Sequence, residues 1–311
     1  MNIRILSDGK PGHLSQTSGL AQALTELEGG TVSVVDLSGK GFFQRIITAC
    51  RRLDQEIPDI IIAAGHKTHL PLFFASRHLR AVSVLCMKPS LPAGMFDLCV
   101  LPRHDISPSK QHNSNPRLFE TIGALNGIHP EPHTPKTETL ILIGGPSGDF
   151  DWDTPSLLSQ LAPINQQAET SPHETGEIIL TTSRRTPPDV AKAIQTECPA
   201  IHVIPVEQTQ AGWVARHLAS SKAVWVTEDS VSMVYEALGS GAPVGILSIP
   251  RKQKKESRVL RGLAMLMKEK RVTQWNEWAQ TETLTPQPSP LEESRRAAEF
   301  IINNFPQLSR S

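Results

Sequence analysis

Seven residues near the amino terminus, Ser7-Asp8-Gly9-Lys10-Pro11-Gly12-His13, bring two titratable side chains, a lysine and two glycines into one short stretch. Asp8 and His13 are candidate proton acceptors, since a general base must lie within hydrogen-bond reach of the hydroxyl it activates. A glycine-bearing turn ahead of a helix also presents backbone N–H groups to an anion, and Lys10 adds a point charge. The Gly-Lys-Ser/Thr ending of a phosphate-binding P-loop is absent. The structural alternative is a tight turn with a solvated lysine and Asp8 as a local cap.

Other polar stretches follow apolar runs in the same way. Ala64-Gly65-His66-Lys67-Thr68-His69 is a second cationic loop; His66 and His69 stand three apart, but no third ligand accompanies them, so no metal is expected. Pro102-Arg103-His104-Asp105 ends a further run. Gly144 and Gly145 open a glycine-rich turn, and Ser183-Arg184-Arg185 puts an arginine pair at the end of a run, a pattern suited to bidentate phosphate recognition or to a surface ion pair.

Residues 225 to 237, WVTEDSVSMVYEA, break from an apolar run into Thr227-Glu228-Asp229-Ser230 and then into a helical pattern. Ser230 is the expected N-cap, and the helix end behind it suits a pyrophosphate. Glu236, about two turns in, suits ribose hydroxyls. Carboxylates beside a phosphate would repel it, so Glu228 and Asp229 must face elsewhere or meet a sugar hydroxyl; alternatively Asp229 and Ser230 merely cap the helix. The basic stretch Pro250 to Lys255 reads as a solvated loop.

These loops need a scaffold. Continuous β-branched runs at 2–7, 31–37, 59–65, 81–87 and 97–102 predict strands buried on both faces of a parallel sheet, with crossover helices such as 15–27 and 41–55. A second set at 139–145, 177–183, 201–205, 223–229 and 242–250 follows a proline-rich linker. The expected fold is α/β: two Rossmann-like doubly wound domains facing across a cleft, with ligands beyond the carboxyl ends of the strands. The expected divisions are an acceptor-side domain over 1–130, a linker over 131–138, a donor-side domain over 139–284, and a linker and helix over 285–311 packing back towards the first domain.

Composition narrows the function. The 311 residues carry 31 basic and 31 acidic side chains, which removes the bulk electrostatic case for nucleic acid. Four cysteines without a C-x-x-C pair fit a reducing compartment. No run approaches the ~18 apolar residues of a membrane span, and the first residues do not form a signal peptide. A cytoplasmic protein is expected, with membrane contact at most peripheral.

Taken in order, SDGKPGHLSQTSGLA, AAGHKTHLP, LPRHD, IGGPS, TTSRRTP and WVTEDSVSMVYEALGSGAPV resemble the mitochondrial fission "elongated mitochondria" family. That family is in turn similar to glycosyltransferases of the GT-B type. The resemblance implies a nucleotide-sugar donor site at Gly144, Gly145, Ser183, Arg184, Thr227, Asp229, Ser230, Met233 and Glu236. It places the acceptor on the first domain, near Lys10, Gly12, His66 and Lys67, with Asp8 or His13 as base. The expected activity is metal-independent glycosyl transfer to an acceptor hydroxyl of unidentified nature, with the nucleotide-sugar as co-substrate and no further cofactor. The competing expectation is a non-catalytic nucleotide-sugar-binding or scaffold protein. A redox-dependent nucleotide-sugar epimerase is disfavoured, because the single tyrosine, Tyr235, is followed by Gly239 where a Tyr-x-x-x-Lys pair needs lysine.

Overall fold

Runs such as NIRILS and DIIIAAG have no polar face to offer solvent, so they fold only where helices cover both sides of the sheet they form. In a computed structural model, which describes residues 1–51, 57–106, 115–252 and 257–308, the chain divides into two units. The first comprises Met1–Gly127 together with Glu292–Ser311, the second Ile128–Leu291.

In the first unit, β1 (Asn2–Ser7), β2 (Thr31–Asp36), β3 (Ile60–Ala64), β4 (Val82–Cys86), β5 (Leu98–Pro102) and β6 (Leu118–Thr121) form one sheet in the order β2-β1-β3-β4-β5-β6. Every pairing is parallel. Helix α1 (Pro11–Glu28) covers one face, where Leu20 and Leu24 meet Ala297, Ala298 and Ile301 of the C-terminal helix, Glu293–Asn304. Helices α2 (Phe42–Cys50) and α3 (His69–Leu79) lie on the other, packing Ala49, Leu72 and Ala75 against Leu6, Ile61 and Ala63. The strand order reverses between β1 and β3, which makes the crevice beyond their carboxyl ends the place where such a sheet binds ligands.

In the second unit, β7 (Glu138–Leu142), β8 (Glu177–Thr181), β9 (Ile201–Ile204), β10 (Ser221–Thr227), β11 (Val244–Leu247) and β12 (Thr273–Gln274) are again all parallel, in the order β12-β11-β10-β7-β8-β9. Helices α4 (Thr154–Thr170), α5 (Pro172–Thr175), α6 (Val190–Glu197), α7 (Trp213–Ser220), α8 (Val231–Gly239), α9 (Arg258–Lys268) and α10 (Trp275–Thr281) connect or flank these strands. Here the order reverses between β7 and β10.

Among the described residues each sheet has six strands where the apolar runs indicate five. The additional ones, β6 and β12, lie at sheet edges and are four and two residues long. They form by pairing with a strand already in place, Cys99 opposite Leu118 and Gly245 opposite Thr273, so their own sequences need carry little apolar signal. Of the C-terminal segment, residues from Glu292 onward belong to the first unit and those up to Leu291 to the second. Residues 52–55 of the expected second crossover and Gln253 to Lys255 of the basic loop lie outside the described residues.

Candidate functional site

The first unit builds its polar cluster at its switch point, from the loops that leave β1 and β3. Asp8 has a side chain only 2 % exposed, and both of its carboxylate oxygens lie 3.0 Å from Nδ1 of His13, in the first turn of α1. The Lys10 amide donates to Asp8 Oδ1 at 3.2 Å, further fixing the carboxylate. A carboxylate only accepts, so a neutral imidazole in this contact donates from Nδ1 and keeps its lone pair on Nε2. This geometry assigns different parts to two residues that sequence alone leaves interchangeable: the imidazole can take a proton, and Asp8 orients it.

Gly65, directly after β3, completes the arrangement. A Cβ there would fall 2.5 Å from His13 Nδ1 and 2.7 Å from Asp8 Oδ2, and the backbone has φ +91°, which favours glycine. The sequence signal for it was only a glycine at the end of an apolar run. Lys10, Gly12, His66 and Lys67 are all exposed at this end of the sheet. A Cβ on Gly12 would meet nothing within 4 Å, so packing does not require glycine there. His69 is different: it is buried, its Nδ1 accepts from the Ser90 hydroxyl at 2.7 Å, and burial, followed by the charge of His66, lowers its pKa to about 4. It is a neutral packing histidine. Among the described residues no cluster of three or more His, Cys, Asp or Glu forms a metal site.

The second unit's switch point joins the loops after β7, β8 and β10. The Gly144 N–H donates to Thr227 Oγ1 at 2.8 Å, and the Gly145 N–H to Asp229 Oδ2 at 2.9 Å. Arg185 donates to the same Asp229 oxygen at 2.9 Å and to the carbonyls of Gly145 at 2.7 Å and Pro146 at 3.2 Å. Ser183 Oγ donates to the Gly144 carbonyl at 2.9 Å. A Cβ on Gly144 would stand 2.1 Å from Asp229 Oδ2, and one on Gly145 would stand 2.3 Å from the Arg185 carbonyl oxygen. The two glycines are thus required by close loop packing, and their N–H groups are already engaged within the protein.

This arrangement disposes of the carboxylates that a phosphate site could not tolerate. Glu228 turns towards the loop after β11, where Oε1 accepts from the Ile249 N–H at 3.0 Å and Oε2 from Arg251 at 2.9 Å. Asp229 is neutralised by Arg185, and its second oxygen, Oδ1, is buried without a hydrogen bond. Ser230 occupies the N-cap position of α8, yet its side chain makes no capping bond, so among the described residues the first-turn N–H groups have no side-chain cap. Of the adjacent arginines, Arg185 is tied into the loops, whereas Arg184 is exposed and has no partner among the described residues. Two neighbouring arginines look alike in sequence, and only the path of the turn separates them. Met233 and Glu236 lie partly buried along α8, and burial pushes the Glu236 carboxyl up to about 7.

Two all-parallel Rossmann-like units, each with its polar loops at the strand-order reversal, define a protein of the GT-B fold. Solved structures agree on the fold: MurG of Acinetobacter baumannii (TM-score 0.53, 12% identity) covers 98% of this chain and 99% of its own. The UDP-GlcNAc 2-epimerase of Neisseria meningitidis, bound to UDP-GlcNAc, matches with a TM-score of 0.53 and 10% identity over 99% of this chain and 100% of its own. A sequence profile described as "Mitochondrial fission ELM1" matches residues 11–305, and the chain belongs to that family. An uncharacterized protein of Rickettsia prowazekii (strain Madrid E), RP120, is 26% identical over 97% of this chain and 98% of its own length. Mitochondrial fission protein ELM1 of Arabidopsis thaliana is 25% identical over 70% of this chain and 57% of its own length.

Proposed function

We propose that this protein is a metal-independent glycosyltransferase that moves a sugar from a nucleotide-sugar to an acceptor hydroxyl. The observation that carries the reading is the Asp8–His13 pair at the first sheet's switch point, with His13 Nε2 left as acceptor. In the reaction, Nε2 takes the hydroxyl proton while the oxygen attacks the anomeric carbon. The bond from that carbon to the diphosphate oxygen breaks, and its electron pair leaves with the nucleotide. Asp8 stabilises the imidazolium that forms, and such base catalysis supplies about 10²- to 10⁴-fold in rate.

The donor half of the reaction falls to the second unit. The first turn of α8, without a side-chain cap from Ser230, offers N–H groups and a partial positive charge to the diphosphate, and Arg184 adds an exposed cation. Stabilising the charge that develops on a leaving diphosphate is commonly the largest catalytic term. Glu236 accepts hydrogen bonds from ribose hydroxyls, while Gly144, Gly145, Ser183, Thr227 and Asp229 fix the shape of the loops beneath the ligand.

The test is calorimetry of the full chain against UDP-, GDP-, ADP-, CMP- and TDP-sugars, followed by transfer assays with cell extracts as acceptor. One sugar-nucleotide should bind, His13→Ala should leave that affinity unchanged, and transfer should fall by about 10²-fold or more. An epimerase would convert the sugar-nucleotide with no acceptor present. Failure of every nucleotide-sugar to bind would overturn the proposal, leaving the scaffold reading.

A further inference from the structure

Helix α2 is built the wrong way round for a surface helix of a soluble sheet. Of its nine residues only Ala49 is buried, while Phe42, Phe43 and Ile47 are 51%, 77% and 58% exposed. Phe42, Phe43, Ile46 and Ile47 stand at spacings of one, three and four, which places them side by side on one helix face. The two phenylalanines pack edge to face with centroids 5.3 Å apart, and the neighbouring α3 adds Phe74, 44% exposed. α2 is held by packing on α3, by Ala49 in the core, and at its end by Arg4 on β1, itself buried, which donates to the backbone carbonyls of Arg51 at 2.8 Å and Ala49 at 3.4 Å. The apolar face is therefore not needed for attachment of the helix to its sheet.

The two helices and the turns that lead into them carry basic side chains, with Asp36 beside Lys40 as an acidic neighbour just ahead of them. Residues 37–51 and 66–80 contain Lys40, Arg45, Arg51, Lys67, Arg77 and Arg80 and no aspartate or glutamate, in a chain whose formal net charge is zero. Arg77 lies over the ring of Phe73, 5.3 Å from its centroid, so cation and apolar surface are interleaved. An apolar strip rimmed by basic side chains on a helix lying along the surface is the pattern by which proteins rest on anionic lipid, aromatic side chains entering the headgroup boundary and cations meeting the phosphates. No described helix is long and apolar enough to cross a membrane, so attachment through helices at this face is interfacial.

We propose that the α2–α3 face of the first unit docks on the surface of an anionic lipid bilayer. The location fits the chemistry at the adjoining loop: Leu37 N donates to the Ser7 carbonyl at 2.8 Å, and a Cβ on Gly9 would touch Ser38 Cβ at 2.8 Å. The turn leading into Phe42 is thus packed on the Asp8 loop, and the docking face begins beside the residues assigned to the acceptor. The docking itself does not depend on glycosyl transfer, because its readout requires no nucleotide.

The experiment is cosedimentation of the full chain with vesicles of phosphatidylglycerol and phosphatidylcholine, compared with phosphatidylcholine alone, at low and high salt. Binding to the anionic vesicles is expected, weakening about tenfold or more in high salt. Phe43→Glu and Ile47→Glu should each abolish it; the milder Phe43→Gln should weaken it. Lys40→Glu combined with Arg77→Glu should remove the preference for anionic lipid. Unfolding curves of these variants should match the parent, separating lost docking from lost fold. The proposal is overturned if the parent chain ignores anionic vesicles, if the variants bind as the parent does, or if sedimentation equilibrium shows a dimer that Phe43→Glu turns into monomer.

Discussion

Glu236 connects the stability of the second unit to its site in a way that pH can measure. Burial on α8 raises its carboxyl from 4.5 to about 7. Between those values the folded chain holds a proton that the unfolded chain has released, so stability falls as pH rises through the window and levels off above about 7. At about 1.4 kcal/mol for each tenfold change in proton affinity, the loss amounts to roughly 3 kcal/mol. Glu236→Gln keeps the shape and has no proton to lose. The variant should match the parent near pH 5 and exceed it by about 3 kcal/mol near pH 8. Urea unfolding followed by tryptophan fluorescence reads this directly, because Trp152, Trp213, Trp225, Trp275 and Trp278, all five in the chain, lie in the second unit. If Glu236 also receives ribose hydroxyls, the stabilised variant should bind nucleotide more weakly, the opposing signs expected of a residue kept for function at a cost in stability. A stability difference independent of pH, or a variant less stable near pH 8, would refute the burial argument.

The arginine pair should separate cleanly in the same unfolding assay. Arg185→Ala leaves the Asp229 carboxylate buried without its cation and should cost about 1–3 kcal/mol, whereas Arg184→Ala should change stability by less than about 0.5 kcal/mol while weakening nucleotide binding in calorimetry. Gly65→Ala places a methyl group against the Asp8–His13 pair at a positive φ; turnover should drop about tenfold or more with nucleotide affinity retained. NMR titration of the His69 ring should show it neutral until about pH 4, and its contribution to stability should be lost as pH falls from 6.5 through about 4.

Much of the fold was legible because its core strands are locally coded. IIIAA and VSVLC are buried along their whole length, so continuous apolar runs marked them without ambiguity. The short edge strands β6 and β12 were not legible, since their conformation comes from the neighbour they pair with. The site was legible as a set of loops and not as a set of roles. Asp8 and His13 looked equivalent; residue type alone did not separate Arg184 from Arg185, and only the family resemblance singled out Arg184; Gly65 was one glycine among 20.

The sequence by itself determined two parallel α/β units, the polar loops at their strand ends and family membership, because burial periodicity and short motifs are properties of contiguous residues. The contacts between segments settled that Nδ1 of His13 is the nitrogen held by Asp8, that Arg185 neutralises Asp229 at the helix end, and that α2 turns phenylalanines outward. Those outcomes rest on contacts between segments from 5 to 84 residues apart, Asp8 with His13 and Gly145 with Asp229 marking the extremes. The longer of these distances are set by the sheet order, which no local stretch of the chain contains, and the shortest by the path of the turn between β1 and α1.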